Sequence, residues 1–352
     1  MTRKYGVSST GLIAPIIREG DDIAQITINT VLNAIDNIED GDIIGITESV
    51  VARAQGNYVT IDEVADDIKK KLHNPKRIYL YNTIYSRNRF AMILKAFARA
   101  AEEDVSIYMP DEDEVGNVLK HHPFTGLNYD EYYKSIVENE GKTCTIDYIN
   151  CGDNAIYGAT GINCSVHPVF NDSIYQITLM DFCKDKCEYG LLGSNKASEE
   201  KLKLFPSKDY CKLIIGIIKQ HIRLKTGKNV EVMIYGDGCF KDPIGGIWEF
   251  ADPVTSPAYS EGLEGTPNEL KLKNFADEKF KDLKGEELNN AIKAEIYAKD
   301  NYLKGKMDSQ GTTPRRYIDL LASLMDLTSG SGDKGTPIVY IKRYFENYAT
   351  EK

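Results

Sequence analysis

The chain lacks most of the features that mark nucleic-acid, membrane and secreted proteins. It has no long basic run, and 43 Lys plus Arg against 53 Asp plus Glu leave a formal charge of −10. That balance argues against a duplex nucleic-acid binder or a protein docked on an anionic membrane. A single small anionic ligand needs only one local positive pocket and stays compatible with it. No stretch approaches the ~20 apolar residues of a membrane span; the best, Leu213 to Ile218, is cut short by Lys219. Met1 to Pro15 is too polar and too short for a signal peptide or an anchor. The 7 cysteines (positions 144, 151, 164, 183, 187, 211 and 239) are odd in number and scattered, as reduced cytosolic thiols are. A cytoplasmic protein is therefore expected, with neither nucleic acid nor membrane among its partners.

Catalytic signatures are scarce as well. Cys183 and Cys187 form a CxxxC, but no second pair stands at zinc-finger spacing, which leaves a zinc knuckle and two unrelated thiols as alternatives. His121, His122 and His167 have no E-x-x-H or H-x-x-x-H partner, and no G-x-S-x-G elbow occurs, so hydrolysis through a covalent intermediate has little support. What is present is ordinary globular material: 42 % apolar and 27 % charged residues exclude disordered, collagen-like and coiled-coil classes. At 352 residues, two domains are expected.

The N-terminal third alternates helix and strand signals. Ile23, Ile26, Val31, Ile35 and Ile38 follow Asp21 and Asp22, either of which can cap a helix. Asp40-Gly41-Asp42 is a turn before an apolar strand, Ile43 to Thr47, and a short helix, Ser49 to Gln55, closed by Gly56. Thr60-Ile61-Asp62-Glu63 is a capping box opening a helix to about Leu72, and Arg87 to Ala101 reads as another helix. The middle is strand-rich at Val105 to Met109, Thr143 to Ile149 and Ile174 to Asp181, with a polar Tyr-rich stretch at Leu127 to Tyr133. Ser207 is expected to cap a long helix to Thr226, and Val230 to Tyr235 reads as a buried strand running into Gly236-Asp237-Gly238. Residues 262–310 turn Lys-, Glu- and Asn-rich; Thr266-Pro267-Asn268-Glu269 reads there as the start of an exposed helical insertion. A last helix from Thr313-Pro314 to Leu327 and a closing strand, Ile338 to Ile341, complete the pattern.

Three segments place glycine-bearing turns and charges at the end of an apolar element. In Ile43 to Gln55, a strand and tight turn carrying Thr47, Glu48 and Ser49 lead into a helix carrying Arg53. A helix start offers free N–H groups and a positive dipole end, which suits phosphate, and Arg53 adds a forked contact. In Val230 to Asp252, glycines flank Asp237, and Asp242, Glu249, Asp252 and Glu261 follow. Hard oxygen ligands at a strand end suit Mg²⁺ or Mn²⁺ with a triphosphate, the alternative being a hairpin with Asp-Gly turn chemistry. In Ser329 to Pro337, Gly330, Gly332 and Gly335 satisfy G-x-G-x-x-G, but helix-then-strand order rejects a dinucleotide fingerprint. These glycines suit instead a nest for phosphate, with Lys334 adding charge and Asp333 facing a metal, or else form a solvated loop.

The order of these pieces carries a resemblance. Pro15-Ile16-Ile17-Arg18-Glu19-Gly20-Asp21-Asp22, then Glu39-Asp40-Gly41-Asp42 with its strand and the helix to Gly56, and the glycine-rich loop before the last strand, resemble the coenzyme F420:L-glutamate ligase family. The likeness lies with its divergent bacterial branch and covers the first ~60 residues, then Gly190 to Asp252 and Thr313 to Arg343. It implies an α+β (mixed α/β) fold of two domains with mainly antiparallel sheets, residues 1–85 plus 205–352 binding the nucleotide and 86–204 forming a strand-rich second domain. It also implies an intertwined homodimer that uses GTP with Mg²⁺ or Mn²⁺.

By the same resemblance, Ala14, Pro15, Ile16, Ile17, Glu48, Ser49, Asn195, Gly330, Gly332, Lys334 and Gly335 match nucleotide-binding positions, and Arg53 replaces a phosphate-binding lysine. Asp237, Asp333 and Arg53 are the expected catalytic residues, and Asp237, Asp333 and Asp242 the expected metal ligands. Two departures stand out: Leu192 occupies a metal-ligating Asp position, and an Asp-Thr pair has become Gly236-Asp237. The reaction implied is γ-glutamyl amide formation between L-glutamate, or another amino acid, and a carboxylate-bearing acceptor. The rivals are a non-catalytic nucleotide or metabolite sensor and a structural dimer scaffold.

Overall fold

The structure, a computed structural model, describes residues 4–82, 89–109, 120–122, 125–148, 164–170, 173–174, 177–237, 240–241, 248–249, 254–301, 303, 315–330 and 332–350. The chain begins with β1 (Ser8–Leu12) and α1 (Ile23–Ala34), where Asp22 accepts the Gln25 N–H at 2.9 Å as the cap. β2 (Ile43–Thr47) runs directly into α2 (Glu48–Gln55), which stops at Gly56 in the left-handed region, φ 70°. β3 (Tyr58–Thr60) meets α3 (Ile61–Lys71) through the expected reciprocal Thr60–Glu63 box. Then come β4 (Arg77–Asn82), α4 (Arg89–Ala100), β5 (Asp104–Met109), α5 (Tyr129–Asn139), β6 (Thr143–Tyr148) and β7 (Cys164–Phe170). The Tyr-rich stretch is helical because Asn128 caps it, accepting the Asp130 and Glu131 N–H groups.

β8 (Ser194–Ser198) and β9 (Lys201–Leu204) form a hairpin, followed by α6 (Lys208–Thr226) and β10 (Glu231–Asp237). Ser207 stands at the cap position of α6, but its hydroxyl is taken by the Gln55 side-chain N–H at 2.7 Å, which ties the end of α2 to the start of α6. β11 (Val254–Tyr259), α7 (Gly285–Ala298), α8 (Tyr317–Ser329) and β12 (Ile338–Lys342) complete the chain. The helix expected from Thr266-Pro267 does not form there; the backbone first turns helical at Leu272–Asn274. Asn268 is bonded instead to Asp300 O and Leu303 N, which holds this segment extended against the far end of α7.

Sheet pairings are mainly antiparallel. One five-stranded sheet runs β1-β12-β2-β10-β11, with only β2 and β10 parallel. Alternate residues of its central strands feed two cores. Ile44, Ile46, Val232, Ile234, Ile338 and Tyr340 pack under α1, α2 and α6. Ile43, Met233, Tyr235, Val339 and Ile341 pack under α8. With both faces covered, these strands read as continuous apolar runs. Each buried aliphatic side chain contributes about 1.5–3 kcal/mol.

A third core draws its residues from Val59 to Phe205 and is built on α3, α4 and α5. A second sheet, β6-β5-β4-β7, is parallel from β4 to β6 through the α4 and α5 crossovers and antiparallel from β4 to β7. β3 joins the β8–β9 hairpin as a small antiparallel sheet. Among the described residues no helix is long and apolar enough to cross a membrane.

Candidate functional site

Four backbone segments far apart in sequence meet where β2 ends and α2 begins. The Thr47 N–H donates to Pro337 O at 3.0 Å, and the Ala14 N–H to Gly335 O at 3.0 Å. Tyr235 of β10 pairs with Thr47 in the parallel register, which sets Gly236 and then Asp237 beside the Glu48 turn. Residues 14–17, the turn at Glu48–Ser49, the end of β10 and the glycine loop thus share one neighbourhood. The loop over residues 13–22 is pinned by Ile17 in the core, by the Gly20 N–H on Ala54 O at 2.9 Å, and by Glu19 lying against Gly56. Pro15 and Ile16 are left exposed.

Glycine is required at Gly236 for a reason the sequence does not announce. A Cβ there would lie 1.9 Å from Glu48 Cγ, so the space beside the strand is filled by the Glu48 stem rather than left open for a ligand. Glu48 is buried, and its two carboxylate oxygens accept from Lys203 Nζ at 3.1 and 3.0 Å. Lys203 is itself buried and stands on β9 directly opposite Asn195 of β8. The arrangement therefore brings Glu48 and Asn195 together through a lysine that the motif reading missed. The Lys201-Leu202-Lys203-Leu204 alternation looks like an ordinary strand with a wet face, and nothing local in it signals a buried carboxylate partner.

At the glycine loop, α8 ends with Gly330 at φ 59°, a single 3₁₀ turn covers Gly332–Lys334, and Gly335 returns at φ 66°. Lys334 folds back over its own loop, its Nζ 2.6 Å from where a Gly330 Cβ would sit. Asp333 and Lys334 are exposed. Thr336 Oγ1 donates to Ser329 O at 2.8 Å and closes the loop. Burial pushes the Tyr235 hydroxyl well above its usual range; it reaches Met325 O at the end of α8. Arg53 is exposed on the last turn of α2, about 7.5 Å along the helix from Glu48 at ~1.5 Å per residue.

A family model described as F420-0:gamma-glutamyl ligase matches residues 11–343. The chain belongs to that family. Over 60 residues it is 37 % identical to the coenzyme F420:L-glutamate ligase of Methanothermobacter thermautotrophicus, a match that covers 17 % of this chain and 24 % of that relative. Within this F420-0:gamma-glutamyl ligase family member, Leu192 is buried in the 59–205 core, on the turn just before β8. It cannot present a ligand to a cation.

Among the described residues, no three His, Cys, Asp or Glu side chains gather closely enough to hold a metal ion. Glu48 is engaged by Lys203, and Asp333 stands out in solvent. The Asp237 side chain and all of Asp242 lie outside the described residues. The described side chains thus do not by themselves make a divalent-cation site.

Proposed function

We propose that the chain is a GTP-dependent ligase that joins L-glutamate, or another amino acid, to a carboxylate-bearing acceptor like coenzyme F420-0 through a γ-glutamyl-type amide. In this reaction an acceptor carboxylate oxygen attacks the γ-phosphorus, and GDP leaves. The amine of the amino acid then adds to the acyl carbon, inorganic phosphate departs, and the amine gives up a proton. The chain's task is to hold the phosphates and stabilise their charge as it redistributes. The reading assigns phosphate contacts to the Glu48–Ser49 turn, Arg53, Lys334, Gly330, Gly332 and Gly335, and further nucleotide contacts to Ala14, Pro15, Ile16, Ile17 and Asn195. A Mg²⁺ or Mn²⁺ ion would accompany the nucleotide toward Asp237, Asp242 and Asp333, neutralising phosphate charge. A cytoplasmic homodimer belongs to the same proposal.

The supporting observation is the pair of backbone bonds, Ala14 to Gly335 and Thr47 to Pro337, that draws the N-terminal loop, the α2 turn and the glycine loop together. Incubation with GTP, Mn²⁺, L-glutamate and candidate acceptors, read by mass spectrometry, tests the proposal. GDP plus a product heavier by one glutamyl unit supports it, and failure with every acceptor removes the ligase claim for those acceptors. A second reading, a non-catalytic nucleotide or metabolite binder derived from the same family, is favoured by the burial of Leu192. Tight GTP binding independent of Mg²⁺ and without turnover, measured by calorimetry, distinguishes it.

A further inference from the structure

Glu48 and Lys203 are 155 positions apart, yet both are withdrawn from water and bonded to each other twice, at 3.1 and 3.0 Å. Burying two charges is costly, and apolar side chains of similar volume would commonly serve stability as well or better. The pair sits where α2 opens, its glutamate stem over Gly236 and its lysine opposite Asn195. Side-chain exposures of 11 % for Lys203 and 5 % for Glu48 show that it is not sealed. An anion arriving at this turn meets an ammonium already held by a carboxylate.

We propose that Glu48 and Lys203 form an exchangeable charge pair. Closed on itself without nucleotide, it opens when a polyphosphate enters: the phosphate takes the Lys203 ammonium, and the Glu48 carboxylate gives it up. The inference rests on the nucleotide-binding reading above. A lysine suits this exchange because its compact charge rides on a flexible stem and gives up no fixed geometry in changing partners. A phosphate group carries more charge than a carboxylate, and its oxygens accept strong charge-assisted bonds from an ammonium. Glu48, at the first position of α2, keeps a favourable helix-dipole environment for its negative charge after the ammonium leaves. Only hydrogen bonds are traded, with Lys203 touching the phosphate itself.

Calorimetry with GDP and a non-hydrolysable GTP analogue, in Mn²⁺ and in EDTA, tests the exchange on the full chain. Glu48→Gln removes the competitor for the ammonium, so nucleotide affinity in EDTA should rise about tenfold. Lys203→Met should weaken it about tenfold or more, and Lys203→Arg should restore most of the loss. A merely structural pair gives the opposite sign for Glu48→Gln, unchanged or weaker binding, and that result overturns the proposal. Lys203→Met leaves a lone buried carboxylate and can fail to fold, so a wild-type crystal with bound GTP provides the second arm. Lys203 Nζ on a phosphate oxygen and beyond roughly 4 Å from Glu48 supports exchange; an intact pair beside bound nucleotide refutes it. Wild-type protein that binds no nucleotide in either buffer removes the nucleotide reading and the exchange together. Wild-type binding without a gain in Glu48→Gln removes the exchange alone.

Discussion

Gly236→Ala is the sharpest test of the packing at the candidate site. The new methyl group would stand 1.9 Å from Glu48 Cγ and 2.9 Å from its Cβ. Gly236 is not among the glycines with positive φ, so the strain comes from contact and not from backbone conformation. Overpacking of this kind costs about 1–3 kcal/mol. Relief requires the Glu48 stem to swing away and take its carboxylate off Lys203, losing charged hydrogen bonds of about 1.5–3 kcal/mol. Water reaching the displaced charges offsets part of that, so a net loss of about 2–4 kcal/mol is expected. Urea unfolding of wild type and Gly236→Ala measures it, and repetition in a Glu48→Ala/Lys203→Met background isolates the cause. There the stem ends at Cβ and the added loss should fall below about 1 kcal/mol. An equal loss in both backgrounds would refute the assignment to Glu48, and a wild-type loss under about 0.5 kcal/mol would refute the close approach itself.

Four further outcomes follow from features elsewhere. Gly45→Ala would bring a methyl group 2.1 Å from Met325 Sδ; a loss of about 1–3 kcal/mol is expected, smaller when Met325→Ala is added, and additive losses would contradict the packing of α8 on β2. Thr60→Ala should cost about 1 kcal/mol by unmaking the α3 cap, read from the urea midpoint. The Thr60 backbone N–H holds the Glu63 carboxyl below its usual 4.5. A depressed carboxyl stabilises fully above its unfolded value and loses that contribution as pH falls through its folded one, so wild type should lose more stability than Glu63→Gln as the pH is lowered below the usual glutamate range. Parallel losses would remove the box as the cause. Burial pushes the Cys183 thiol up to about 12 and the Cys187 thiol up to about 11; at pH 8 both should react with a thiol reagent far more slowly in native than in unfolded protein. Rapid native labelling would show that these thiols are not enclosed.

Local signals were legible where the residue that makes a feature also announces it. Asp22, the Thr60–Glu63 pair, Gly56 and Gly227 all end or begin helices as their chemistry predicts, because each acts on backbone within a turn of itself. Thr266-Pro267 carried a valid start signal, yet Asn268 spends its side chain on residues more than thirty positions away. Ser207 likewise has its hydroxyl claimed by Gln55. At the candidate site the segments were readable one by one, and their convergence followed from their family-like order, not from any local pattern. The Glu48–Lys203 contact was not readable at all: a lysine alternating with leucines looks solvated until a carboxylate from another part of the fold is brought over it. Gly236 shows the same limit, since glycine serves a ligand, a turn or a neighbouring side chain equally well.

The order in which β1, β12, β2 and β10 lie side by side sets a timetable for the chain during its own synthesis. Among the described residues β1 has its sheet partner only in β12, and β2 is flanked by β12 and β10, so the first strands made must wait for the last. The core spanning Val59 to Phe205, in contrast, has all its parts on hand much earlier. At ~5–20 residues per second the interval is on the order of ten seconds or more. For that time an unfinished apolar segment trails behind a folded neighbour. Protease digestion of ribosome-stalled chains should find that inner module protected while Ile43–Thr47 is still cut, and simultaneous protection of both would show that another contact shelters the waiting strands.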